Sequence, residues 1–152
     1  MVDAERTENE KHPRITAVEF EELLRLSIPS SAQMPFRVTH LERGRAVLEL
    51  PFSEAHLRPG GSLSGPTMFT LADTALYAAV LSEIGLVPLA VTTDISIHFV
   101  KKPRAGLSAE ARLLRCGKRL AVGTVEITSD GEVVAHATGT YALPDRGAEA
   151  SR

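Results

Sequence analysis

The stretch Gly65–Leu81, GPTMFTLADTALYAAVL, constrains the fold of this chain more than any other part of it. It reads as one long helix. Pro66 stands where a helix tolerates proline, at the first helical position, with Gly65 as the expected cap and Gly85 as the expected stop. At about 100° per residue, Met68, Phe69, Leu71, Ala72, Ala75, Leu76, Ala78, Ala79 and Val80 cover a wide apolar arc. Thr67, Thr70, Thr74 and Tyr77 form a narrower polar arc, with Asp73 at its edge and no Lys, Arg or Glu. A surface helix carries charge on its wet face, so this one is expected to be wrapped by the rest of the chain. Asp73 then has two readings. It satisfies a structural hydrogen bond, or it is kept there for chemistry, because a lone carboxylate in an apolar helix is costly unless paired or used.

The remaining chain supplies the wrapping. Thr16-Ala17-Val18-Glu19 has the form of a capping box, and Ile15 and Phe20 stand where a hydrophobic staple places them. Phe20, Leu23, Leu24 and Ile28 give a short amphipathic helix ended by Pro29. Phe36–Glu42 and Arg45–Phe52 alternate around Gly44 as a hairpin, with Ala46, Leu48, Leu50 and Phe52 on one side. Pro88–Lys101 reads as a strand with Val91, Thr93, Ile95, Ile97 and Phe99 on one side and Thr92, Asp94, Ser96 and His98 on the other. Leu107–Arg115, Arg119–Thr128 and Glu132–Leu143 complete a run of strands, the last two joined by the turn signal Ser129-Asp130-Gly131. One short helix cannot hide so many strands. A curved antiparallel sheet around the long helix buries both, an α+β architecture. The hydroxyl arc of the helix stays open at one edge, and a second copy of the chain is its natural cover.

Length places these elements in a single domain over residues 15–143, flanked by mobile tails at 1–14 and 144–152. A net charge of −2 gives no reason to expect a nucleic acid or an acidic membrane as partner. The lone Cys116 excludes an internal disulfide and fits a reducing, cytoplasmic compartment. The first fourteen residues are polar and charged, so no secretory signal is expected. Ser82, Glu83, Gly85 and Pro88 break the most apolar region too often for a membrane span.

The start of the long helix offers unpaired backbone N–H groups and a positive dipole end, a site for a developing oxyanion. Pro66 has no N–H, so Gly65, Thr67 or Met68 must donate. Asp73 lies two turns away, about 12 Å along the axis. That reach is long within one subunit. In a dimer, a carbonyl can meet Gly65 of one chain and Asp73 of the other, which is a geometry for ester or thioester hydrolysis.

Leu63-Ser64-Gly65-Pro66, then Leu71-Ala72-Asp73-Thr74-Ala75, then Ala90-Val91-Thr92-Thr93-Asp94-Ile95-Ser96-Ile97-His98-Phe99, resemble the hotdog-fold acyl-CoA thioesterases, most nearly the phenylacetate-degradation type. The resemblance spans about Phe36 to Leu143. It implies a hotdog fold, a catalytic acid at Asp73 and a backbone oxyanion donor at Gly65. It also implies coenzyme A bound across the interface of a homodimer, often within a homotetramer, and acyl-CoA hydrolysed to free acid and coenzyme A. The family usually has His-Gly-Gly where this chain has Ser64-Gly65-Pro66, and often Asn six residues before that His, where this chain has Arg58. Ser64 is then a candidate polar contact to the thioester. Thr67, Thr70 and Thr74 are candidates to line the acyl or water side, and Met68 and Arg58 are further substrate-binding candidates. Asp73 serves either as general base on water or as nucleophile.

Lys101, Lys102, Arg104, Arg115, Lys118 and Arg119 cluster at two adjacent strand ends, where they read either as solvated charge or as a grip on the coenzyme A phosphates. The five His show no paired metal-ligand spacing, and neither a metal nor another cofactor is expected. Gly61-Ser62-Leu63-Ser64-Gly65 has the letters of a nucleophile elbow without the preceding strand. Asp94, Ser96 and His98 have the types of a triad without hydrogen-bond reach. The rival to a hydrolase is a non-catalytic acyl-CoA binding or sensing protein on the same fold, which Ser64 and Pro66 favour and the retained Gly65 and Asp73 oppose.

Overall fold

A computed structural model describes residues 11–145. The expected mobile tails fall mainly outside them, at 1–10 and 146–152. Within the described part, the Arg14 N–H donates to the Ser82 carbonyl at 2.8 Å, and the Arg43 N–H donates to the Lys11 carbonyl at 3.1 Å.

Helix α1 covers Ala17–Ser27 and begins with the reciprocal capping box. The Glu19 N–H donates to Thr16 Oγ1 and the Thr16 N–H to Glu19 Oε2, while Ile15 and Phe20 are buried. Strands β1 (Arg37–Glu42) and β2 (Arg45–Leu50) form the hairpin, turned by Gly44 at a φ of 75°. Phe52, expected on the strand, lies beyond its end and is exposed. Helix α2 covers Gly65–Ile84 and is stopped by Gly85 in a positive-φ conformation. Its cap is Ser64 rather than Gly65, one residue before the expected place, because a side-chain oxygen can satisfy a first-turn N–H and glycine has none. Strands β3 (Val91–Phe99), β4 (Leu107–Cys116), β5 (Leu120–Ser129) and β6 (Glu132–Ala142) follow.

The six strands make one antiparallel sheet in the order β1-β2-β4-β5-β6-β3, wrapped around α2 as the sequence requires. Ala46, Leu48 and Leu50 of β2, Leu107, Ala109 and Ala111 of β4, and Ala121, Val125 and Ile127 of β5 face the helix from the inner side of the sheet. Among the described residues β1 and β3 are the edges, and β3 carries a bulge between Thr92 and Asp94. The bulge moves Thr92 onto the face of Ile95 and Ile97, so the strict alternation expected along this strand breaks at Thr93.

Two glycines let helix and sheet approach closely. Gly123 and Gly139 are directly paired across β5 and β6. A Cβ at 139 would stand 2.7 Å from Leu76 Cδ2 and 2.8 Å from Ile95 Cγ1. At 123 it would meet Leu76 Cδ1 and the Arg112 carbonyl oxygen, both at 2.7 Å. The glycines open a notch that receives the fully buried Leu76. Gly139→Ala is expected to lower unfolding free energy by about 1–3 kcal/mol, as overpacking does. Gly123→Ala is expected to cost more, because the Arg112 carbonyl is backbone and cannot swing away. Urea titration of both variants, and of Gly139→Ala with Leu76→Val, checks this. The double variant is expected to recover part of the loss.

Candidate active site

Asp73 sits midway along α2, part-buried among apolar neighbours, and its Oδ1 is held by two hydroxyls. Thr92 Oγ1 donates to it from β3 at 2.7 Å, and Tyr141 Oη donates from β6 at 2.7 Å. Thr92 and Tyr141 are paired residues on adjacent strands, which places both hydroxyls on the same side of the sheet. Among the described residues nothing donates to Oδ2. Tyr141 is 3% exposed. Burial, and then the Asp73 charge, push its phenol far above the usual range, so it stays protonated and remains a donor. Its ring stacks on Tyr77 at 5.8 Å, and Phe20 of α1 meets Tyr77 edge-on at 5.7 Å. The Tyr77 hydroxyl donates to the Pro88 carbonyl at 3.0 Å, and burial raises its pKa as well.

A cleft of 490 Å³ opens beside Asp73, walled by Leu24 and Ile28 of the α1 region, by Tyr77, and by Leu89 and Val91. A second cleft of 240 Å³ shares Leu24, Ile28 and Thr74 and runs on to Met34 and Phe36. The hydroxyls on this face are not free donors. Thr74 Oγ1 donates to the Thr70 carbonyl and Thr70 Oγ1 to the Pro66 carbonyl, leaving their oxygens to accept.

The start of α2 forms a different place. The Thr67 N–H donates to Ser64 Oγ at 3.3 Å and the Met68 N–H to the Ser64 carbonyl at 3.2 Å. Pro66 has no N–H. Of the three sequence candidates, only the Gly65 N–H lacks an acceptor among the described residues. Gly65, Met68 and Arg58 line a 370 Å³ cleft with Phe99, Lys101 and Lys102. A Cβ at 65 would stand 3.3 Å from the Phe99 ring, which lies across the helix start.

The sequence-derived candidates therefore divide into three groups. Gly65, Met68, Arg58, Lys101 and Lys102 come together. Asp73 and Thr74 share the cleft beside α1, away from Gly65. Arg115, Lys118 and Arg119 lie elsewhere. Lys101 is tied to Val134 at the start of β6, and the Arg119 carbonyl to Leu143 just past its end. The two basic groups thus stand about 30 Å apart along the strand, not in one cluster. Lys101 also pairs with Glu132. Ser64 and Thr67 are occupied with each other, their hydroxyls 2.8 Å apart, in capping the helix. Thr92 and Tyr141 are not among the sequence candidates. The bulge hides the facing of Thr92. The signal for Tyr141 is its place on an inward face otherwise lined by Ala135, Ala137 and Gly139.

Comparison with known proteins gives a consistent result. The profile of the thioesterase superfamily matches residues 60–136. A Saccharolobus solfataricus protein provisionally named an esterase is 32% identical over 107 residues, which are 69% of this chain and 76% of that protein. A crystal structure from Silicibacter sp. TM1040, provisionally assigned as a thioesterase, superposes with a TM-score of 0.79 at 38% identity, covering 89% of this chain and 96% of that one. The PaaI protein of the E. coli phenylacetic acid degradation operon superposes with a TM-score of 0.75 at 25% identity, covering 84% of this chain and 93% of the other.

The cap makes a direct test of the local geometry. Ser64→Ala is expected to cost about 1 kcal/mol of stability, the usual loss of an N-cap, and Ser64→Asp is expected to keep most of it. Thermal melts of both proteins measure the difference.

Proposed function

The chain belongs to the thioesterase superfamily and has the hotdog fold, and from that premise we propose that it hydrolyses acyl-CoA to free acid and coenzyme A at a site shared by two subunits. The observation that carries the reading is the separation of the two chemical groups. Asp73 reaches the sheet at Thr92, at the start of β3, whereas Gly65 lies against Phe99, at its end. β3 is an edge strand, with Val91 and Phe99 exposed at its two ends and Leu89 and Val100 exposed just beyond them. A two-fold axis through the middle of β3 pairs the strand with its own copy. It carries the Phe99 end of one chain to the Thr92 end of the other. Asp73 of one subunit then faces the partner's Gly65.

In this site the thioester carbonyl oxygen takes the free Gly65 N–H at the positive end of α2. Asp73 Oδ2 removes a proton from water as the water oxygen bonds to the carbonyl carbon. The C–S bond of the tetrahedral intermediate breaks, and the proton passes from Asp73 to the leaving sulfur. The acyl group occupies the apolar cleft between α1 and α2, with Thr74 on its wall. Arg58, Lys101 and Lys102, beside Gly65, hold the coenzyme A phosphates, and Arg115, Lys118 and Arg119 are too distant in the same chain to join them. The reducing compartment suggested by the lone Cys116 suits a cytoplasmic enzyme. Among the described residues no helix is long and apolar enough to cross a membrane.

Two measurements test the reading. A panel of acyl-CoAs assayed for released thiol is expected to find substrates, and Asp73→Asn is expected to lower kcat by about 10²–10⁴-fold. The amide oxygen introduced by that substitution still accepts from Thr92 and Tyr141, so the melting temperature is expected to hold. A stable Asp73→Asn protein with wild-type kcat would contradict the assignment, and a panel without turnover would favour the binding protein. Light scattering at micromolar concentration is expected to return at least twice the 16.4 kDa chain mass. A monomer mass would remove the shared site.

A further inference from the structure

We propose that Tyr141 is a positioning residue that locks the Asp73 carboxylate by its Oδ1 edge, so that Oδ2 alone is presented to the cleft. The inference rests on the reading of Asp73 as the reacting carboxylate and assigns the means by which it is aimed. An aspartate side chain on a helix turns freely about its last bond, since that torsion has broad, roughly two-fold wells. A base that takes a proton from water needs one lone pair held on the line of attack. Here Thr92 and Tyr141 converge on the same oxygen, each at 2.7 Å, from directly paired positions of β3 and β6. Two donors from neighbouring strands fix the carboxylate plane where one would act as a pivot.

The phenol is itself immobile. Its ring lies 11° from parallel with that of Tyr77, one turn further along the helix that carries Asp73. Tyr77 is in turn fixed by its bond to the Pro88 carbonyl and by the edge of Phe20. The column Phe20, Tyr77, Tyr141 therefore runs from α1 to the carboxylate and makes α1 part of the support of the site. Tyr141 borders the cleft beside Asp73, but it is 3% exposed and its hydroxyl is turned to the carboxylate. It acts through Asp73.

Phenylalanine at 141 keeps the stack and removes the donor to Oδ1, together with its longer contact to the Asp73 carbonyl at 3.2 Å. Tyr141→Phe is expected to lose kcat by about tenfold to a hundredfold, with KM unchanged, as small misplacements of a reacting group do. In the Asp73→Asn background the same substitution is expected to change the residual rate no further, because the coupled step is already gone. A structural role instead predicts equal losses in both backgrounds. Thr92→Val is expected to reproduce the loss and Thr92→Ser to restore it, which keeps the test open should Tyr141→Phe fold poorly. Crystal structures of the wild type and Tyr141→Phe are expected to show one Asp73 conformer in the first and more than one in the second. Wild-type kcat in Tyr141→Phe, equal losses in both backgrounds, or an unchanged single Asp73 conformer would each overturn the proposal. Kinetics are read on whichever ester or thioester the wild type hydrolyses. Absence of acyl-CoA turnover then removes the proposed substrate without touching the role of Tyr141, and with no substrate at all the pair of crystal structures decides.

Discussion

A helix that is apolar almost all the way round cannot be left in water, and the structure of this chain follows from enclosing α2. From Leu71 to Leu81 only Asp73 and Thr74 escape full burial. The sheet curves to surround the helix, and Leu76 enters the Gly123–Gly139 notch because the two layers must approach closely. The same enclosure makes the one carboxylate expensive. Two hydroxyls offset part of that cost at its Oδ1, one from each of two strands.

The enclosure is incomplete along β3. That strand touches α2 at both chemically interesting points, through Thr92 at Asp73 and through Phe99 at Gly65, and its outer edge has no neighbour among the described strands. The bulge at Thr93 matters here. Without it, Thr92 would point to the outer face with Asp94, and Asp73 would lose one of its two partners. Edge, bulge and helix start are thus parts of a single arrangement.

The architecture is legible in the sequence because it depends on periods. The helical arc of α2 and the alternation of β2, β4 and β5 survive in one dimension, as does the capping box of α1. Gly65 and Asp73 stand out as candidates for a related reason, since each is the exception within a strong pattern. The rest depends on pairing. Whether Thr92 faces the helix is settled by its partner Tyr141, not by its own neighbours in sequence. Tyr141 and Asp73 are 68 residues apart, and nothing local links them. The basic residues near the two ends of β6 look like one cluster in sequence because strand ends close along the chain lie on opposite rims of the sheet. Ser64 reads as a substrate contact in one dimension, whereas its hydroxyl is committed to the turn it begins.

If the carboxylate and the oxyanion donor of one site come from different subunits, two inactive chains can repair each other, and subunit mixing tests this most directly. One chain carries Asp73→Asn. The other carries Gly65→Leu, whose side chain would meet the Phe99 ring and fill the cleft at the helix start. Each is expected to be inactive alone. A mixed dimer holds one site with an intact Asp73 and an intact Gly65, so unfolding and refolding the two together should return about a quarter of the wild-type rate per chain, by random pairing of subunits. Mixtures that remain as inactive as their parents, while mass measurement shows the mixed dimer present, would contradict a shared site.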